Sequence, residues 1–249
     1  MQPTVSLLTI TQRSRQPSLL ILKDLVQDQT YSNIIEWVIV EGSPSAKEAK
    51  ENAAYIATLQ QTIPIRYIRT EGGLPIGTLR QLANESAIGD IRVVLDDDDY
   101  YPAMRVDHAV KSLLESKKRL AGCSPMFLYD YQLNKLFKFR SFGLNHSVSS
   151  CMAWTRDYPG VYDPDARFAE ETSFTNGFTE SMVQLEPLKT IIQSSHTHNT
   201  YSKKKLVIQE IEKPILDYIP EHYFKRFHHI LGDLLVDKAD QEVPIPPVH

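Results

Sequence analysis

Apolar residues follow two rhythms along the first 120 positions. Short, nearly continuous runs recur at Val5-Ser6-Leu7-Leu8-Thr9-Ile10, Ile35-Glu36-Trp37-Val38-Ile39-Val40, Ile63-Pro64-Ile65-Arg66-Tyr67-Ile68 and Ile91-Arg92-Val93-Val94-Leu95, and these read as strands. Runs this apolar suit strands covered on both faces, as inside a parallel sheet. Between them the apolar positions return every three or four residues. Leu19, Leu20, Leu22, Leu25 and Val26 predict a helix ending near Asp28, and the alanine-rich stretch 46–60 predicts a second. Leu79, Leu82 and Ala83 predict a third, and Val106, Ala109, Val110, Leu113 and Leu114 a fourth. Strand and helix alternating four times predict a doubly wound α/β sheet.

The second half changes character. Leu120 to Phe127 and Leu136 to Phe139 read as strands in hairpin-like succession, and Val148 to Trp154 as another, so a mixed sheet continues the same domain. Asp157-Tyr158-Pro159-Gly160 and Tyr162-Asp163-Pro164-Asp165 are turn-rich and expected to line a cleft. Lys203-Lys204-Lys205 precede helical segments to about Val236, and Val243 to His249 is proline-rich and expected to be loosely held. The chain thus divides into a main domain over 1–201 and a helical extension over 202–249, which is a candidate for docking on the domain, capping an edge strand or forming a homodimer contact.

Candidate chemistry concentrates where the fourth strand ends. Val93-Val94-Leu95 runs into four consecutive acids, Asp96 to Asp99, then Tyr100-Tyr101-Pro102. Ligands on open α/β sheets bind beyond the carboxyl ends of the strands. Adjacent carboxylates repel unless something positive neutralises them, and an oxygen-preferring Mg²⁺ or Mn²⁺ does so economically. Asp96 and Asp98 would have to converge on the ion, with a turn at Asp97 deciding which acids share it. A solvated loop, or acids complementing the dipole of a helix from Ala103, would use the same residues without metal. A phosphatase of the haloacid-dehalogenase type would want Thr or Val where Tyr100 stands.

Other strand ends fall on the same predicted edge: Thr9, Thr11, Gln12 and Arg13 after strand one, Glu41 after strand two. Each alone is an ordinary surface residue. Together, Glu41 suits a base or ribose, and Arg13 and Arg80 suit phosphates. The loop from Gly72 to Gly77, with Gly73 inside it, would let a ligand approach the backbone. It has neither the GxGxxG nor the GxxxxGK[ST] pattern.

Taken in order, Thr9 in strand one, the Glu41-Gly42-Ser43 turn, Ile76-Gly77 leading to Leu79-Arg80, and Val93 to Asp99 resemble a nucleotide-sugar glycosyltransferase of the GT-A fold. Order and spacing are similar to family 2 enzymes, with the small glycosyltransferases of large algal (chlorella) viruses the nearest likeness, over residues 4 to 200. The resemblance implies a Rossmann-like mixed central sheet with helices on both faces, and an Asp-x-Asp holding Mn²⁺ or Mg²⁺ against the diphosphate of a UDP-sugar. It makes Asp98 a metal ligand, with Asp96 and Asp97 on metal, ribose or sugar. It sets Thr9, Thr11, Arg13 and Glu41 around the nucleoside with Gly73 and Gly77, and Arg80 by ribose or phosphate.

Phe168 to Phe174 resembles the paired-acid motif of family 2, whose second acid is the general base on the acceptor hydroxyl; Glu170-Glu171 stands where Glu-Asp is commoner. Acids in the first turn of a helix are the plain alternative. Some enzymes of this fold add a late histidine to the metal, which implies His198 in His196-Thr197-His198-Asn199, after an expected strand over 190–193. The implied reaction moves a sugar from UDP-sugar to a glycan or other hydroxyl. Inversion would use Glu171 as base, whereas retention would leave Glu170 or Glu171 to orient hydroxyls. A sugar-phosphate nucleotidyltransferase would want a longer glycine-rich loop with a lysine than Thr11 to Arg15 supplies. A cation-dependent carbohydrate-binding module stays open. Tyr100, Tyr101, Trp154 and Tyr162 suit either sugar stacking or the core.

Composition narrows the setting. Of 249 residues, 42% are hydrophobic and 23% charged, ordinary for a soluble α/β domain with an appendage. The net charge of −4 offers no basic field for nucleic acid or anionic membrane. No run approaches the ~20 apolar residues of a membrane span. The N-terminus lacks the pattern of a secretory leader, so none is expected. Two cysteines without CxxC, Cys123 and Cys151, suit reduced thiols in a cytoplasm, that of a host cell under the viral likeness.

Overall fold

The computed structural model describes residues 2–196 and 209–232. Its first half is the expected alternation: β1 (Val5–Thr11), α1 (Gln16–Gln27), β2 (Ile34–Glu41), α2 (Ala46–Ile56), β3 (Ile65–Ile68), α3 (Ile76–Ser86), β4 (Ile91–Val94) and α4 (Arg105–Ser116). The second half supplies β5 (Leu120–Gly122), β6 (Phe127–Asp130), β7 (Lys135–Lys138), β8 (Ala153–Thr155), α5 (Glu171–Phe174), β9 (Met182–Gln184), α6 (Pro187–Thr190), β10 (Ile192–Ser195), β11 (Gln209–Ile211) and α7 (Glu221–Leu231).

Among the described residues the strands form two sheets. One has seven strands in the order β3-β2-β1-β4-β8-β5-β9, parallel from β3 to β4 and antiparallel where β8 enters between β4 and β5. The other runs β10-β6-β7-β11. Alternating side chains of the long strands feed opposite faces. Leu7, Trp37, Ile39 and Val93 pack with Leu19, Leu22 and Leu25 of α1 and Val106 and Val110 of α4. Leu8, Val38, Val40 and Val94 pack with Leu79 and Ala83 of α3. That is why the strands read as continuous apolar runs. Leu20 and Leu114, counted in the helical stripes, fall on exposed outer faces.

Several expected boundaries move for local reasons. The run 120–127 is not one strand: it breaks after Gly122 at Cys123-Ser124-Pro125, where proline has no N–H for a ladder. Val148 to Trp154 is likewise divided, by a single 3-10 turn at Ser149–Cys151 ahead of β8. The segment over 190–193 gives up its first residues to α6, so β10 begins at Ile192. The second half therefore builds a second sheet as well as extending the first. The tail, read as helical, contributes β11, antiparallel to β7, before α7. Helix α7 lies on α1: Tyr223 donates to Asp28 at 2.6 Å and Arg226 Nη1 to Asp24 at 2.7 Å, with Phe227 fully buried. Among the described residues no helix is long and apolar enough to cross a membrane.

Two contacts aim the residues after β4. Tyr100 exchanges both backbone hydrogen bonds with Ile192, at 3.1 and 2.9 Å. The Asp96 N–H donates to the hydroxyl of fully buried Tyr101 at 2.7 Å. The acidic run is thus pinned between the end of β4 and the start of β10.

Gly77 and Gly73 do different work here. A Cβ at Gly77 would stand 1.9 Å from the Asp163 carbonyl oxygen, so the glycine lets the 163–166 turn lie directly on α3. Gly73 has φ of 73° with no close contact, a left-handed position. Gly77→Ala should cost about 3 kcal/mol, the upper end of overpacking, and Gly73→Ala about 1–2 kcal/mol from the left-handed backbone alone. Urea denaturation should show both as lowered midpoints, with Gly77→Ala the larger.

Candidate active site

The four acids after β4 meet partners from three other segments of the chain. Asp96 faces Arg80 two-toothed, Oδ1 accepting from Nη1 at 2.6 Å and Oδ2 from Nη2 at 2.9 Å. Asp97 is buried, and its Oδ1 accepts from Arg15 Nη1 at 2.9 Å. Its Oδ2 has no hydrogen-bond partner among the described residues. Asp98 Oδ2 accepts from the same Arg15 nitrogen at 2.7 Å and lies 3.1 Å from His196 Nε2. Asp99 Oδ1 accepts the backbone N–H of Ser194 at 2.8 Å. So β10, stapled to Tyr100 and Asp99, is what delivers His196 to Asp98.

Burial raises the Asp97 carboxyl; Arg15 works against that rise and Asp98 adds to it. The neighbouring Thr11 hydroxyl is close enough to lower it without meeting hydrogen-bond geometry. Asp98, above all, holds the Arg15 guanidinium charged. Arg80 is buried, which opposes its charge, but Asp96 and then Glu170 outweigh the burial. Its Nε donates to Glu170 Oε1 at 3.2 Å, so one guanidinium ties the acidic run to the Glu170-Glu171 pair. Glu171 opens α5. Its carboxyl keeps some exposure yet is set among packed neighbours, and burial, followed by the charge of Glu170, pushes it up to about 7. A sheet edge that gathers a strand-end acid cluster, two arginines, a histidine and a carboxyl near neutrality can receive an anionic ligand and move a proton beside it.

The sequence profile of glycosyl transferase family 2 matches residues 8–146, more than half of the chain. The chain belongs to glycosyl transferase family 2. Its fold is of the GT-A type: the mannosyltransferase PcManGT from Pyrobaculum calidifontis, in complex with GDP-Man and Mn2+, superposes with TM-score 0.61 over 80% of this chain and 59% of that one, at 14% identity. S. aureus TarS 1-349 in complex with UDP-GlcNAc gives 0.56 over 95% and 68%, at 11% identity, and with UDP 0.55 over 78% and 61%, at 15%. The chain spans about three-fifths of the length of PcManGT. It matches none of the curated proteins in sequence.

Within this family 2 chain the expected site residues divide. Asp96, Asp97, Asp98, Arg80, Glu170 and Glu171 come together at the edge just described. Thr11 lies beside Asp97. Others are spent on the scaffold. Thr9 is fully buried, donating to the Leu95 carbonyl at 2.7 Å and accepting from Trp37 Nε1 at 2.8 Å. Glu41 is fully buried; it accepts the Ser43 N–H at 2.6 Å, Asn52 Nδ2 at 2.8 Å and the Tyr67 hydroxyl. Both point inward because they share strand parity on adjacent strands that helices cover, Thr9 pairing with Ile39 and Glu41 with Thr11. Arg13 is half-exposed and pairs with Glu51 of α2, away from the acids. Gly73 and Gly77 serve the turn and the close packing described above. His198 lies outside the described residues, and Asp96 faces Arg80 rather than Asp98. Of the two roles open to the aromatics, the core is the one they take: Tyr162 stacks on Phe174 at 4.1 Å, Trp154 donates to Asn84 at 2.9 Å, and Tyr100 and Tyr101 are buried.

Arg15 and His196 are what sequence reasoning passed over. Arg13 and Arg15 would share one side of an extended chain, but the 3-10 turn Arg13–Arg15 sends them apart. His196 and His198 share strand parity, so spacing alone does not choose between them. Thr9→Val should leave the Trp37 indole N–H and the Leu95 carbonyl unpaired, costing about 1–3 kcal/mol in urea denaturation. Nucleotide affinity should hold within about twofold, since the cost falls on buried groups left unpaired; a larger change would return Thr9 to the ligand pocket.

Proposed function

We propose that this protein transfers a sugar from a UDP-sugar to a hydroxyl of a glycan or other acceptor, with Mn²⁺ or Mg²⁺ at the acidic run. The observation that carries the reading is the Arg80 bridge. It sets the Asp96–Asp98 cluster, suited to a diphosphate and its counter-ion, beside Glu171, suited to an acceptor hydroxyl. The GDP-Man and Mn2+ complex of PcManGT and the UDP-GlcNAc complex of TarS support a nucleotide-sugar donor and leave GDP-sugar as the second reading.

The residues fit a divalent cation. Asp98 offers a carboxylate oxygen and His196 an imidazole nitrogen on the same side, and Asp97 Oδ2 is buried without a hydrogen-bond partner among the described residues. Among the described residues no three acids, histidines or cysteines converge as a closed cage. Mg²⁺-type sites on phosphate substrates commonly use one or two protein ligands, the substrate's oxygens supplying others. We assign Asp98 and His196 as those ligands, in place of Asp96 and His198. The cation, when bound, neutralises charge growing on the diphosphate as its bond to the sugar breaks. Arg80 holds Asp96 towards ribose or sugar and pairs with Glu170 beside it. Glu171 takes the acceptor proton; a carboxyl near pH 7 is matched to that task, which favours the inverting route.

A panel of UDP- and GDP-sugars with Mn²⁺, read as nucleotide release, tests the assignment. A UDP-sugar should be turned over, and Asp98→Asn and His196→Ala should each weaken Mn²⁺-dependent UDP binding in calorimetry. Mn²⁺-independent sugar binding without any nucleotide affinity would instead make the protein a carbohydrate-binding module. Because the base must be ionised, kcat/KM should climb as pH rises through about 7 and level off above it. Glu171→Gln should lower kcat by about 10²–10⁴-fold and abolish that limb, with UDP affinity retained.

A further inference from the structure

One nitrogen, Arg15 Nη1, serves both Asp97 Oδ1 and Asp98 Oδ2, at 2.9 and 2.7 Å. The Asp98 oxygen it holds is also the one beside His196 Nε2. His196 Nε2 donates or accepts there according to its tautomer, whereas the Arg15 nitrogen can only donate, so a divalent cation that takes this oxygen meets Arg15 already on it. Arg15 has the freedom to move. Its side chain is 21% exposed, and it stands on the short 3-10 turn between β1 and α1 rather than inside a strand.

We propose that Arg15 is a built-in counter-cation: it neutralises the acidic run before ligands arrive and turns to the nucleotide's diphosphate when a metal takes Asp98. This rests on the metal and nucleotide reading above. The charges decide the order. A guanidinium and a divalent cation on one carboxylate repel each other, so metal alone binds weakly. A diphosphate removes the conflict, because it adds negative charge and gives the guanidinium a planar, two-toothed acceptor. Metal and nucleotide then favour one another by the same factor, as linkage requires. Arg15 enlarges that factor and is a positioning residue for the donor.

The test uses the full chain and two titrations: Mn²⁺ alone, followed by the resonance signal of the free ion, and UDP or GDP at saturating Mn²⁺, followed by calorimetry. Arg15→Gln should bind Mn²⁺ alone about tenfold more tightly, and the nucleotide about tenfold more weakly, as expected for loss of one charge-assisted contact. Arg15→Lys keeps a charge without the fork, so it should hold Mn²⁺ alone near the wild-type affinity while losing nucleotide affinity. A residue that only props up the loop would weaken both titrations in Arg15→Gln, and that result overturns the proposal. Should Arg15→Gln fail to fold in a thermal melt, Arg15→Lys decides: undiminished nucleotide affinity or weakened Mn²⁺ binding overturns it. Wild-type protein with no metal-dependent nucleotide binding removes the functional reading and this one together. Wild-type coupling with unchanged Mn²⁺ affinity in Arg15→Gln removes the Arg15 role alone.

Discussion

Four carboxylates in a row at the end of a buried strand are a cost the fold must meet before anything else can happen at that edge. The chain meets it by bringing partners from other elements to every acid, one arginine serving two of them. Arg80 of α3 takes Asp96, Arg15 ahead of α1 takes Asp97 and Asp98, His196 after β10 adds to Asp98, and a β10 backbone N–H takes Asp99. Those partners come from three separate segments. The acidic run is therefore a meeting point that fixes where the elements around it must lie, as well as a cluster of candidate ligands.

Arg80 extends the same logic to the Glu170-Glu171 pair. By binding Asp96 with two nitrogens and Glu170 with the third, it couples the edge that would hold a diphosphate to the one that would hold an acceptor. It also divides the two neighbouring glutamates. Glu170 takes the ion pair with Arg80, whereas Glu171 has none among the described residues; burial, followed by the charge of Glu170, raises its carboxyl against the opposing pull of Arg80.

Support for this edge comes from polar groups that face inward. Thr9 and Glu41, at strand ends where exposure was expected, tie β1 to the Leu95 backbone and the β2 turn to α2. Arg105 is fully buried and donates to the carbonyls of Cys151 and Met152, linking α4 to the segment that enters β8. Tyr101 does the same for the Asp96 backbone. All four are fully buried, and each limits how far the acids and their partners can drift.

The alternation of apolar runs and helical stripes, with the acids standing after the fourth run, was legible from residue order alone. It yielded the α/β sheet, its first four strands and helices, and the edge on which the site lies. Periodicity is a local property, and helices and parallel strands announce themselves within ten residues. The family was legible too, through motifs that fall in that same first half. What spacing could not supply is which side chain each acid meets. Arg15 rather than Arg13 beside the acids, His196 against Asp98, and the inward turn of Thr9 and Glu41 depend on strand register, on a 3-10 turn and on β10 crossing to Tyr100. Arg15 to Asp97, His196 to Asp98 and Thr9 to Leu95 are contacts between segments eighty or more residues apart, and only the folded chain brings them within hydrogen-bond reach.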